Sequence, residues 1–409
     1  HSLRRRQRQM CIRDRVNIML VLKPCTPLLI KRLNNNCISN KHLSVLTALL
    51  LSLGSYHSAI ASQSVTIDMR KPMSAAQLAE YNRDGIVIDY DNTPVLKHVY
   101  VTAKDGAIAR QLPSGAAKKI KDYRIGTKLD VIEDNQQWYG IRDSIFRQYD
   151  EDYDGQDRMQ IEVVRWEKVY IKKDQTGSLD SIALTPKDLN VVSHLSVGKK
   201  DESFETGKAL NDYLKIELID KALFEKKRPL AVDFLSHKNA IKKRNGVISI
   251  QLAKDSLTLV DNNLEEDTEN YRYIGRIDDL DQHLVAVRYW ESQGYRMIDQ
   301  VEGHLTQEFL DYPYISPNKK YLISAYANPY SQQTELWLYK IDGREVKPII
   351  SADFQNWMPT MESADIFWAS DGYLYLAVTH SAAYWQEDGN LNNRSQYIRI
   401  KVVDGVATQ

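Results

Sequence analysis

The residues best spaced for chemistry are the run Asp150-Glu151-Asp152-Tyr153-Asp154-Gly155. Carboxylates at alternate positions, Asp150, Asp152 and Asp154, can converge on one hard cation, and the glycine permits a tight turn, so the stretch is a candidate calcium loop. It departs from an EF-hand: the twelfth position is Ile161, and Glu162 comes one step late. The competing reading is an acidic hairpin tip kept soluble by its charge. A second acidic run at 261–270 reads as a solvated loop. His98, His194, His237, His283, His304 and His380 show no close ligand spacing, so zinc has no support. Nucleophile-elbow, phosphate-loop and dinucleotide fingerprints are absent from the sequence. Two glycosidase carboxylates need only meet in space, and nothing in the sequence singles out a pair.

Aromatic side chains are the other resource. The chain has 24 Tyr and 7 Trp against 7 Phe. Tyr and Trp combine an apolar face with a polar handle, which suits wet binding surfaces. Tyr100, Trp138, Tyr139 and Trp166 form the candidate ligand platform, and the loop around Trp385 is a second candidate.

Strands must position these groups. In 96–175 the residues Leu129, Val131 and 138–141 flank a polar turn at 133–137, a hairpin pattern. Trp138 and Ile141 are three apart, so strict alternation puts them on opposite faces. Either a bulge intervenes, or the indole stands partly exposed at the strand end.

The stretch Gly126-Thr127-Lys128-Leu129-Asp130-Val131-Ile132-Glu133, with Trp138-Tyr139-Gly140-Ile141-Arg142 after it, resembles the core of bacterial SH3 (SH3b) domains. Ala109-Arg110-Gln111-Leu112-Pro113-Ser114-Gly115 is similar to that family's Arg-x-x-Pro-Ser stretch, and Trp166-Glu167-Lys168-Val169-Tyr170-Ile171 resembles its closing strand. No Gly precedes Trp166, and 143–160 is an insertion. The resemblance implies a small SH3-like barrel that recognises a cell-wall peptide or an envelope protein.

Residues 176–240 read as a connector with one or two helices, from apolar residues at 210, 214, 218 and 222, ended by Pro229. Residues 241–405 alternate β-type runs with turns at Asn245-Gly246, Asp342-Gly343 and Asp371-Gly372. Ile315-Ser316-Pro317-Asn318-Lys319-Lys320-Tyr321, followed by Leu336-Trp337-Leu338-Tyr339, resembles a blade of a WD40-like or TolB-type β-propeller. Trp357-Met358-Pro359 lies in an analogous place 42 positions after Ile315, and 271–312 reads as a further degenerate unit. The alternative is an ordinary antiparallel sandwich.

The N-terminal part reads as a targeting segment. Residues 4–15 (RRRQRQMCIRDR) resemble translated sequencing adapter, so 1–15 is set aside. Residues 16–61 carry Lys31, Arg32 and Lys41, an apolar core at 43–53 and Ala59-Ile60-Ala61, the pattern of a cleavable signal peptide. The apolar core is shorter than the roughly 20 residues a membrane span needs. A helical lead-in is expected over 62–95, where Ser74 and Gln77 form a capping-box pattern. Cys11, Cys25 and Cys37 all precede residue 62, which leaves the mature chain without thiols. The first 61 residues hold ten of the 54 basic and one of the 54 acidic side chains, leaving 44 against 53, a net charge of −9. Such a chain is not a general binder of nucleic acid.

The expected protein is therefore mainly β: a small SH3-like barrel over 96–175, a short helical connector over 176–240, and an antiparallel β-repeat region over 241–405. The expected role is a periplasmic or secreted binding protein without a transmembrane span in the mature chain. The alternatives are an envelope hydrolase targeted by its SH3b-like part, and a structural assembly component.

Overall fold

The computed structural model describes residues 85–403, except 154–156, 198–199, 203–207, 265–266, 291, 361–362 and 393. The set-aside segment 1–15, the signal-peptide segment 16–61 and most of the lead-in 62–95 lie outside the described residues. The chain divides into two compact units, one comprising His1–Val87 with Ser144–Trp166 and the other Ile88–Asp143 with Glu167–Gln409. Among the described residues of the first unit are the outer lengths of two long strands, Trp138–Tyr153 and Asp157–Lys172. Within that unit Gln148 Nε2 donates to Glu162 Oε1 at 3.1 Å, and Phe146 and Val164 are exposed.

The larger unit is built from antiparallel sheets, numbered here I to V. Sheet I takes its strands in the order Lys119–Tyr123, Ala107–Arg110, Asp157–Lys172, Trp138–Tyr153, Lys128–Asp134, Lys97–Val101 and Thr176–Gly177. Its edge strands do not pair with each other among the described residues, so the sheet is open and not a closed barrel. The predicted hairpin is present: Lys128–Asp134 pairs with the strand from Trp138, Asp130 opposite Arg142 and Asp134 opposite Tyr139. A register shift falls between Val131 and Glu133.

Sheet II is the hairpin of Val247–Gln251 and Ser256–Val260. Arg244 and Val247 exchange backbone hydrogen bonds around Asn245-Gly246, both at positive φ (50° and 77°), the geometry of a two-residue primed turn. Sheet III is a four-stranded meander, Asn270–Ile277, Gln282–Arg288, Gln293–Asp299 and Leu305–Phe309. Sheet IV repeats it with Tyr314–Ile315, Tyr321–Asn328, Gln333–Asp342 and Glu345–Phe354, and sheet V contains Trp357–Pro359, Ile366–Trp368, Leu374–His380 and Gln396–Val402. Ile315 and Trp357, the pair spaced 42 apart, thus lie in the opening strands of successive sheets. Apolar clusters bind these sheets in chain order. Ile250, Tyr273 and Val285 share one cluster, drawn from II and III. Met297 and Leu322 share the next, drawn from III and IV. Leu338, Leu376 and Ile398 share the third, drawn from IV and V.

The connector departs from the expected helices. Val192–Val197 adds to the outer edge of sheet IV, and Leu214–Ile219 adds to the outer edge of sheet V against Gln396–Val402. One short α-helix, α1 (Lys221–Lys227), follows, with the Asp220 side chain capping it by accepting from the Leu223 amide at 2.7 Å. Its buried Phe224 packs on Phe367 and Tyr397 of sheet V, with centroids 5.2 and 4.5 Å away. The i, i+4 series fails here because residues four apart share a face in a strand as well as in a helix. Leu214 and Ile216, two apart and both buried, reveal the shorter period.

Candidate functional site

Of the aromatic platform read from the sequence, Trp138 is buried. Trp138 is 7 % exposed and Ile141 0 %, so both faces of the strand are covered at this level. The Lys172 ammonium lies 5.9 Å from the Trp138 ring. The expected rim indole is a core residue, and it offers no face to a ligand. Tyr139 is half-buried between the ammoniums of Lys97 (4.5 Å) and Lys173 (4.9 Å), both ion-paired with Asp134. Tyr100 is committed internally: its hydroxyl donates to Glu387 Oε1 at 2.6 Å, and Lys128 pairs with the same carboxylate at 2.9 Å. Burial, then Glu387, pushes the Tyr100 hydroxyl well above its ordinary range. Trp166 is half-buried and lies in the other unit. Trp385 is also half-buried, edge-on to Tyr384 at 5.3 Å.

Of the calcium candidates, Asp154 lies outside the described residues, as do the side chains of Asp150 and Asp152. The backbone at 150 and 152 is strand. Among the described residues no group of three or more His, Cys, Asp or Glu is placed to hold a metal ion.

A different constellation forms where sheets III, IV and V approach. Asp311 and Tyr312 lie in the link from Leu305–Phe309 to Tyr314–Ile315. The Tyr312 amide donates to Asp311 Oδ1 at 2.6 Å, and Ser324 Oγ donates to the Asp311 carbonyl at 3.0 Å. The Tyr312 ring stands 5.4 Å from that of Tyr295 at 87° and 4.8 Å from that of Tyr314 at 60°. Phe234 closes on Tyr312 at 5.7 Å. Tyr314 is fixed from behind by Trp368, whose Nε1 donates to its carbonyl at 3.0 Å. Tyr384 donates to the Pro359 carbonyl at 3.1 Å.

The electrostatics of this group are unusual. Burial pushes the Asp311 carboxyl up to about 6, opposed only by the Tyr312 amide. No cation among the described residues offsets it. Asp311 as a whole residue is half-buried. The hydroxyls of Tyr295, Tyr314 and Tyr384 are raised by burial first, with the Asp311 charge as the next contribution. Tyr326 is raised by burial, then by Glu335, Tyr330 and Asp311.

Sequence reading passed over this site. Its one local signal is Asp311-Tyr312-Pro313-Tyr314, an acid beside two aromatics around a proline. Tyr295 and Tyr326 lie in separate sheets and Tyr384 in the turn after Leu374–His380, an arrangement no spacing rule encodes.

No match to the chain is found among protein-family models, curated proteins or solved structures. No helix of the described residues is long and apolar enough to cross a membrane.

Proposed function

We propose that this chain is a cell-envelope binding protein, exported to the periplasm or secreted, whose ligand binds at the tyrosine cluster beside Asp311. The observation that carries this reading is the Asp311 carboxyl, raised by burial with no cation to offset it, next to Tyr312 and the rings of Tyr295 and Tyr314 that pack on it. An uncompensated buried charge is costly, and it is tolerated where a partner from outside completes it. Aromatic walls with one well-placed polar group are the usual composition of small-ligand sites. Trp138 is buried, and this reading assigns the binding role to the C-terminal sheets. The ligand is either a free solute or a side group of an envelope peptide.

The test is a thermal-shift and tyrosine-fluorescence screen of charged and neutral metabolites and cell-wall fragments on the full chain, repeated on Asp311→Asn. Ligands that raise the melting temperature of the wild type and lose the effect in Asp311→Asn are expected, because a ligand bound only by the folded state must stabilise it. A screen whose hits are indifferent to Asp311→Asn removes the Asp311 cluster as the binding site.

A further inference from the structure

Sheets III and IV carry an exposed aromatic ring at the same place. In sheet III the strands Gln282–Arg288 and Gln293–Asp299 close on the pair Arg288 and Gln293, which leaves a four-residue loop, 289–292. In sheet IV the strands Tyr321–Asn328 and Gln333–Asp342 close on Asn328 and Gln333, which again leaves four residues, 329–332. The second loop residue is Trp290 in one and Tyr330 in the other, 40 positions apart, the spacing of one structural repeat. Both are about half exposed, at 51 % and 54 %. Neither side chain has a hydrogen-bond partner among the described residues. Single exposed apolar residues scattered over a surface are ordinary. A ring at the same loop position in successive sheets is a pattern. Both loops are also braced. The Asn328 carboxamide oxygen accepts from the Tyr330 and Ser331 amides at 2.9 and 3.2 Å. The Tyr289 amide donates to the Ser292 carbonyl at 2.9 Å, and the Tyr289 hydroxyl is anchored on Glu308.

The two loops lie at corresponding ends of neighbouring sheets. Tyr295, close behind Gln293, stands 5.4 Å from Tyr312 in the link to sheet IV, and Ser324, on the strand that leads to Asn328, donates to the Asp311 carbonyl of that link at 3.0 Å. Sheet V adds a third ring. Trp385 packs against the cluster of Ala327, Met358 and Tyr384, and Ala327 is the residue before Asn328. Stacked sheets lie roughly 10 Å apart, so the rings recur at about that interval. A ligand that meets one ring per sheet must repeat at the same interval. Trp and Tyr rings combine a flat apolar face with a polar handle, which suits the C–H faces of sugars. In an extended β-1,4-linked glycan every second sugar faces the same way, and that disaccharide repeat has about the length of the sheet spacing. Around Tyr330 the side chains of Asn328, Ser331, Gln332 and Gln333 offer amides and a hydroxyl and carry no charge, which serves sugar hydroxyls and gives a phosphate nothing to pair with. We propose that Trp290 and Tyr330, with Trp385 at the end of the row, bind a linear β-1,4-linked glycan laid across the ends of sheets III, IV and V. This site is separate from the Asp311 cluster and does not depend on it.

Isothermal titration of the full chain with the β-1,4-linked hexamers of glucose and of N-acetylglucosamine, and with the coiled α-1,4-linked glucose hexamer, tests this. At least one β-linked hexamer is expected to bind, more tightly than its own dimer, and the α-linked hexamer is not. Trp290→Ala and Tyr330→Ala, each checked for folding by its melting curve, are each expected to weaken the β-linked hexamer by about three- to tenfold, as befits one lost ring contact. Trp290→Phe is expected to recover part of the loss, and Asp311→Asn to leave the affinity unchanged. No binding of either β-linked hexamer, equal binding of the α-linked one, a hexamer no tighter than its dimer, or indifference to both alanine substitutions overturns the inference. Binding lost in Asp311→Asn and kept in both alanine variants also overturns it, and assigns the sugar to the Asp311 cluster instead.

Discussion

Asp311 carries a cost in stability that depends on pH. Its folded carboxyl titrates at about 6 against an ordinary value of 3.8. The folded state therefore holds this proton more tightly than the unfolded chain does. The contribution to stability is fully present below about pH 4 and is lost as the pH rises through about 6, a change of roughly 2–3 kcal/mol. Asp311→Asn removes the penalty, and the variant is expected to be more stable than wild type at about pH 7.5, with the advantage gone at about pH 4. Urea midpoints measured across this interval check the sign; a less stable variant at neutral pH would mean that the carboxylate has a stabilising partner. Trp138 makes the opposite point. Its spacing from Ile141 was legible as two faces of one strand, but that both faces are covered depends on residues distant in sequence.

At the scale of the element, the turn Gly126-Thr127 does more than reverse the chain. Gly126 has φ +83°, and a Cβ there would lie 2.5 Å from the Ala382 carbonyl oxygen, so the turn seats the segment after Leu374–His380. Tyr100 and Lys128 hold the following loop through Glu387. Gly126→Ala combines a disfavoured backbone with a backbone clash and is expected to cost about 1–3 kcal/mol, read from denaturant unfolding. Glu387→Gln affects exposed groups and is expected to cost under about 1 kcal/mol. The strands of sheets III to V and the Asn245-Gly246 turn were legible because alternation and positive-φ turn residues are local. Leu214–Ile219 was misread because Leu210, Leu214 and Leu218 satisfy both periods, although Leu214, Ile216 and Leu218 alternate locally; pairing with the distant strand Gln396–Val402 realises the shorter one. The tyrosine cluster beside Asp311 was illegible because its rings come from strands and links far apart in sequence.

For the molecule as a whole, Leu214–Ile219 pairs along its full length with Gln396–Val402, from Leu214 opposite Val402 to Ile219 opposite Tyr397. Ile398 and Ile400 are fully buried in the cluster that joins sheets IV and V. A chain ending before Gln396 bares both that core and one side of Leu214–Ile219. It is expected to lose cooperative unfolding, seen as a broad, early transition by circular dichroism, whereas a chain ending after residue 403 keeps the sharp one. The same pairing sets a timetable for the nascent polypeptide. Leu214 leaves the ribosome 188 positions ahead of Val402, and so distant a contact is slow to form. An orphaned strand edge persists until Gln396–Val402 has been made, which keeps the polypeptide open to chaperone capture up to that point.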